Sequence, residues 1–246
     1  MKHILLVAFA VTLFCASCKK KDESPAPTPT NTTTTGNNSF AYSDMYTGYS
    51  ILNYNNSITV DSSASAQFYL ESNPNGPAVN VTAGNVNLNS YSLTAQSDNV
   101  YMSPNPGPLS ITGPLNWTVA GSGTITAFNY SYTASYPKYT GGNLLQDTCV
   151  KANGISINVA GLSDYVTEAS NSGLTVMLLQ NTMISKPIFG TAGGTVTFSA
   201  AELSGFSSNS PISIMISVVN FNRVVVNGVN RNFNCGLLYQ KYSYLK

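Results

Sequence analysis

The sequence predicts an all-β protein, and three of its features carry that prediction. Short runs such as residues 155–159 and 212–218 alternate β-branched and polar side chains, which is the period-two pattern of strands. Clusters of Gly, Pro, Asn and Ser separate these runs. The helical signal is confined to a single turn, residues 199–205. We therefore expect an antiparallel β-sandwich, immunoglobulin-like in shape, built as two consecutive β-sandwich subdomains.

The N-terminal residues 1–17 have the pattern of a secretory signal peptide. Lys2 and His3 supply a positive start, residues 4–14 are apolar, and the small residues Ala16 and Ser17 precede a cleavage point. The apolar run is about a dozen residues, whereas a membrane-spanning helix needs roughly 20. We expect the mature chain to have no membrane span.

The residues Ala16-Ser17-Cys18 resemble the lipobox of bacterial lipoproteins, although Cys15 stands where that family usually has Leu. The charged residues 19–23 are similar to the export signals of Bacteroidota surface lipoproteins. The resemblance implies lipidation of Cys18, attachment to the outer membrane through the N-terminal lipid, and exposure at the cell surface. Ordinary cleavage that leaves Cys18 as a free or disulfide-bonded thiol is the alternative.

Residues 18–39 read as a tether. After Cys18 and its charged neighbours, they consist largely of Pro, Thr, Asn and Gly. Such a composition has almost no apolar surface to bury, so the segment is expected to stay extended.

The remaining chain is expected to form two domains, residues 40–145 and 146–246. The proposed boundary runs through residues 137–154, where Gly141-Gly142 and Asn153-Gly154 interrupt the strand pattern. Earlier strands are expected at residues 79–81 and 86–88.

Two local signals lie in the second half. Ser199 and Glu202 have the spacing of a capping box, with Leu203 expected to point into the core. Asn227-Gly228, between residues 224–226 and 229–233, suits the type I′ turn of a β-hairpin.

Composition argues against nucleic acid as a partner. Only 9% of the residues are charged, the formal net charge is +1, and the basic residues after residue 40 are scattered singly. Electrostatic capture of nucleic acid needs clustered Lys and Arg.

The four cysteines are expected to have different fates. Cys15 leaves with the signal peptide and Cys18 is lipidated, so Cys149 and Cys235 remain to form a disulfide in an exported protein. Two free buried thiols are the alternative.

The sequence offers little catalytic chemistry, and we predict no enzyme, no cofactor and no metal site. The single histidine, His3, lies in the signal peptide, so the mature chain has no His for a catalytic triad or a metal site. Carboxylates such as Asp164 and Glu168 leave a glycoside hydrolase as a distant alternative. Calcium in a loop such as residues 73–77 also stays open.

Aromatic side chains are the strongest indication of binding. The candidate ligand-binding residues are Tyr130, Tyr132, Tyr136, Tyr139 and Trp117, because aromatic faces with hydroxyl rims suit sugars or protein contacts. Phe128, Tyr130 and Tyr132 alternate with polar residues, and because aromatic side chains favour strands we expect these three to face the core, with a binding role as the alternative.

Tyr136 and Tyr139 flank Pro137 in an expected loop and are the better candidates. We therefore expect a surface-tethered binding module for glycan or an envelope protein. The alternative is a structural or adhesive envelope component without a small-ligand pocket.

Overall fold

The chain forms strands where β-branched or aromatic side chains alternate with small polar ones. The computed structural model describes residues 40–55, 57–71, 79–103, 109, 111–123, 125–165, 172–188 and 194–246. These ranges contain strands, two short 3-10 helices (Gly141–Leu144 and Lys151–Asn153) and no α-helix, so the all-β prediction is confirmed. The strands are β1 (Phe40–Tyr54), β2 (Ser57–Glu71), β3 (Val79–Asn80), β4 (Val86–Leu88), β5 (Tyr91–Ala95), β6 (Tyr101–Met102), β7 (Pro114–Val119), β8 (Phe128–Thr133), β9 (Lys138–Tyr139), β10 (Thr148–Cys149), β11 (Ile155–Asn158), β12 (Leu162–Ser163), β13 (Ser172–Leu179), β14 (Met183–Pro187), β15 (Thr195–Phe198), β16 (Ser210–Asn220), β17 (Arg223–Val226) and β18 (Val229–Leu245).

One large sheet organises the fold. Its order is β14-β13-β16-β18-β1-β2-β6-β5-β4-β7-β8, with β10 and β17 also paired to β18 and β3 paired to β2. β11 pairs with β15 and β9 pairs with β12 in two small separate sheets.

The sheet is mixed, which corrects the expectation of an antiparallel arrangement. β1 and β18, the first and the last strands, pair in parallel from Ser43↔Arg231 to Asn53↔Lys241. β10 also pairs in parallel with β18. Parallel pairing of strands at opposite ends of a chain depends on the whole fold, so local patterns did not reveal it.

Two hydrophobic clusters lie on the same face of the long strands. The first cluster includes Met45 and Phe233, and the second includes Leu237. Met45 pairs with Phe233, and Tyr49, which packs against both clusters, pairs with Leu237. Met45 and Tyr49 are four positions apart on β1, and Phe233 and Leu237 are four positions apart on β18. Because side chains on a strand alternate between faces, all four share one face of the sheet. β1 and β18 therefore contribute to both clusters, and the domain boundary at residue 145 stays a prediction.

The local turn predictions agree with the structure. β17 and β18 form the expected hairpin, and Asn227 and Gly228 have φ values of 54° and 76°, as a type I′ turn requires. The amide of Glu202 donates to Ser199 Oγ, and Glu202 Oε2 accepts from the Ser199 amide, which completes the capping box. Leu203 is fully buried in the second cluster, as expected.

The expected disulfide is absent, because the two cysteines lie at different places along β18. Both are buried free thiols. Cys149 in β10 lies opposite Leu245, whereas Cys235 lies ten residues earlier on the same strand. Ten residues of extended strand span about 33 Å, while bridged cysteines need their Cα atoms within about 7 Å. The sequence did not show that β10 pairs with the far end of β18.

Candidate functional site

Four of the five predicted binding aromatics come together inside the protein. Trp117 is almost fully buried in the first cluster, and Tyr130, Tyr132 and Tyr136 pack against that cluster. The Tyr130 ring stacks on Phe233 with a centroid distance of 4.2 Å. These side chains join strands to one another and do not form an exposed aromatic platform.

Tyr136 is held by a specific contact. Its hydroxyl donates to Thr47 Oγ1 in β1 at 2.8 Å, and its ring meets the Tyr49 ring edge-on at 5.0 Å. The hydroxyl of Tyr132 lies close to the same threonine, and burial raises the pKa of both phenols. Both side chains are therefore neutral, half-buried packing groups at neutral pH.

Tyr139 is buried in the second cluster, so its expected place in a loop is wrong. It lies in β9, opposite Leu162, and its hydroxyl lies within donor distance of the Gly141 and Asn158 carbonyl oxygens, at 2.9 and 2.8 Å. Its ring packs edge-on against Tyr239. The sequence did not reveal that Tyr139 lies in a strand, because β12, the partner of β9, lies more than twenty residues later in the chain.

The carboxylates considered for catalysis divide between described and undescribed residues. Asp164 forms an ion pair of 2.7 Å with Lys138. Glu168 and residues 73–77 lie outside the described residues, as does Cys18.

In the described part of the chain, no three His, Cys, Asp or Glu side chains gather as a metal site requires. Within the same ranges, no helix combines the length and apolar character needed to span a bilayer.

A cleft of about 420 Å³ lies at the end of β1, where the large sheet has a gap. β16 occupies one side of β18 as far as Leu245. On the other side, β1 stops at the pair Asn53↔Lys241 and β10 starts at Thr148↔Tyr244. The cleft opens between these two strands and is lined by Asn53, Tyr54, Asn55, Asp147, Pro211, Lys241, Tyr242, Ser243 and Tyr244.

The polar groups of the cleft are fixed by hydrogen bonds. Lys241, 5% exposed, donates from Nζ to the Leu145 carbonyl at 2.6 Å and pairs with Asp147 Oδ1 at 2.7 Å. The Asp147 side chain is 74% exposed. Asn53 Nδ2 donates to the Tyr239 hydroxyl. The cleft thus offers an oriented carboxylate at its rim and a buried ammonium group behind it.

Three tyrosines form the aromatic part of the cleft. Tyr54 is 56% exposed and Tyr244 is 40% exposed. The rings of Tyr54 and Tyr242 meet at nearly a right angle, 5.5 Å apart, and the Tyr244 hydroxyl donates to the Asn209 carbonyl. Exposed aromatic faces beside ordered polar groups are typical of small-ligand sites.

Sequence reasoning did not identify this cleft. Tyr54 and Tyr242 are 188 positions apart in the chain and meet only because β1 and β18 run in parallel. The signals in the sequence were the alternating Tyr242 and Tyr244 near the C-terminus and the Asn55-Asn56 turn signal after Tyr54. Neither signal shows that these two segments meet in the folded chain.

No protein-family model, curated protein or solved structure matches the chain.

Proposed function

We propose that this protein is a non-catalytic binding module, held at the outer membrane by a lipid on Cys18, that binds glycan in the cleft between β1 and β10. The observation that carries the proposal is the cleft itself, in which exposed Tyr54 and Tyr244 stand beside Asp147. The volume of about 420 Å³ falls in the usual range for small-ligand sites.

The chemistry of the cleft favours a neutral glycan. A sugar ring can stack its apolar face on Tyr54 or Tyr244 while its hydroxyl groups donate to the Asp147 carboxylate. The Asn55 amide can both donate to and accept from such hydroxyls. The Lys241 charge is already paired with Asp147, so the cleft carries little net charge to attract an acidic ligand.

The test is a glycan array with the full chain, purified from the envelope of a producing host in detergent, followed by calorimetry on any glycan retained. We expect Tyr54→Ala and Tyr244→Ala each to weaken binding about tenfold, equivalent to about 1.4 kcal/mol. Asp147→Asn should weaken it further in combination with either variant.

Val225→Ala is the matched control, because Val225 is exposed but lies in the hairpin of β17 and β18, outside the cleft. It should bind as the unsubstituted chain does. Binding that is equal in Tyr54→Ala, Tyr244→Ala and the control would contradict the cleft proposal. Absence of any retained glycan would favour a protein ligand or the structural, adhesive role.

The anchor is tested separately. Fatty-acid labelling should mark the unsubstituted chain and not Cys18→Ala, and protease treatment of intact cells should degrade a surface-exposed protein. Label that persists in Cys18→Ala would contradict lipidation at this residue.

We also propose that the sheets pack as an immunoglobulin-like sandwich. An immunoglobulin-like sandwich is supported by the small sheet of β11 and β15, whose Ile157 and Phe198 contribute to the second cluster. The first cluster similarly receives Leu88 and Trp117 from β4 and β7. β4 and β7 belong to one end of the large sheet, so this second layer would require that end to fold back over β1 and β18. The two layers would then give two consecutive β-sandwich subdomains that share β1 and β18.

A further inference from the structure

The first part of one edge of β2 has no neighbouring strand in the described part of the chain. β2 pairs with β1 along its whole length. On its other side it pairs only with β6, at residues 65 and 66, and with β3, at residues 69 and 70. The first residues of β2, next to the turn from β1, therefore have a free edge.

The backbone groups of Ile58 and Val60 point to this free edge. Ala64 shows the direction, because its amide donates to Ser103 Oγ and its carbonyl accepts from the Ser103 amide, away from β1. The register between β1 and β2 is unbroken, and backbone groups alternate sides along an antiparallel strand. Ser62 points the same way, and its amide donates to Asp61 Oδ1. Among the described residues, Ile58 and Val60 have no backbone partner on this side.

The side chains at this edge are apolar and exposed. Ile58 is 62% exposed and Val60 is 60% exposed. Proteins usually protect such edges with charged side chains, especially Lys, or with Pro, bulges or covering elements. Residues 57–63 contain neither Pro nor Lys, and their one charged residue is Asp61. An exposed apolar edge with unused backbone groups is a template for another strand.

We propose that two copies of this chain pair antiparallel through the free edges of β2, with Thr59 on the twofold axis. In this register Ile58 lies opposite Val60 of the second copy, so the free amide and carbonyl groups of both residues form four interstrand hydrogen bonds. Asp61 lies opposite Ser57 of the second copy, whose hydroxyl can donate to the carboxylate. Two carboxylates therefore do not face each other.

A second copy fits this edge because the segment is complementary to itself. A twofold interface requires that each surface match its own copy, and Ile58-Thr59-Val60 reads apolar, polar, apolar in both directions. The net charge of +1 gives little repulsion between copies. This association does not require the proposed glycan ligand, although Ser57 and Ile58 pair with Tyr54 and Asn53, which line the cleft.

The test places a cysteine on the twofold axis of the full chain in its producing cells. Residues 59 of the two copies form a non-hydrogen-bonded pair, with Cα atoms about 4.5 Å apart, which suits a disulfide. After mild oxidation, Thr59→Cys should give a band at twice the monomer mass on a non-reducing gel. Thr118→Cys, at an exposed threonine of β7, is the control and should give at least tenfold less dimer.

A second substitution tests whether the exposed edge at Val60 forms the interface. Adding Val60→Lys to Thr59→Cys should lower the dimer fraction at least tenfold, whereas adding Val225→Lys, at a position that is 68% exposed against 60% for Val60, should leave it unchanged. Equal dimer in Thr59→Cys and Thr118→Cys, or dimer that persists with Val60→Lys, would overturn the proposal. A cross-linked product that contains a different protein would overturn it as well.

Discussion

The hydroxyl of Tyr136 donates a 2.8 Å hydrogen bond to Oγ1 of Thr47, which links the segment after β8 to β1 across 89 positions of the chain. Thr47 is fully buried. The contact therefore holds the segment after β8 against β1. It also makes Tyr136 a packing residue.

Removing this hydrogen bond should destabilise the fold. We expect Tyr136→Phe and Thr47→Val each to lower the free energy of unfolding by about 1 kcal/mol, because a buried partner loses its hydrogen bond. The double variant should cost less than the sum of the two, since the shared contact is lost only once. Urea denaturation measures all three, and additive effects would show that the contact contributes nothing.

The thiols of Cys149 and Cys235 should not react with maleimide until the chain unfolds. Burial raises the pKa of Cys149 and raises that of Cys235 to about 11, so both remain protonated at neutral pH. Mass spectrometry of peptides after maleimide treatment should find both cysteines unlabelled in the native protein and labelled in urea without reductant. A peptide pair that requires reductant for labelling would indicate a disulfide.

The stability of the turn at Ser199 should depend on pH. Hydrogen bonds from Lys186, then from the Ser199 amide and hydroxyl, lower the pKa of Glu202 from 4.5 to about 2. The ionised carboxylate therefore stabilises the folded chain above pH 4.5, and this contribution is lost as the pH falls towards 2. Glu202→Gln should lower the urea midpoint at pH 7, and its difference from the unsubstituted chain should shrink between these values. A difference that stays constant to pH 2 would contradict this assignment.

Two glycines with similar φ values should differ in their tolerance of alanine. Gly228 has φ +76°, and no heavy atom beyond its two chain neighbours lies within 4 Å of the place that a Cβ would occupy, so Gly228→Ala should cost about 1 to 2 kcal/mol from backbone strain alone. Gly154 has φ +74°, but a Cβ there would lie 2.5 Å from the Phe198 carbonyl oxygen. Gly154→Ala should therefore destabilise the chain more, and thermal denaturation of both variants measures the difference.

Lys241 should matter more to stability than its partner Asp147. Lys241→Met leaves the buried Leu145 carbonyl without its donor, which should cost about 1 to 3 kcal/mol. Asp147→Asn removes the charge opposite the buried Lys241 ammonium, but this ammonium keeps the Leu145 carbonyl and an amide acceptor at a mostly exposed position, so the effect should be smaller, about 1 kcal/mol. Equal losses in denaturation experiments would contradict the structural role of the Lys241 to Leu145 contact.

The sequence by itself determined the features that depend on neighbours in the chain. Alternation predicted β4, β11 and β16, because the period of a strand is a local property. Asn227-Gly228 predicted its hairpin, and Ser199 with Glu202 predicted the capped turn, since each interaction spans only a few residues.

Only the tertiary structure decided what depends on distant pairing. The parallel alignment of β1 with β18 brings Tyr54 to Tyr242 and opens the cleft, and the pairing of β10 with the end of β18 keeps Cys149 from Cys235. The same packing buries Tyr139. Strand alternation specifies which side chains share a face, but it does not specify which strand becomes the neighbour, because that choice rests on the packing of the whole sheet.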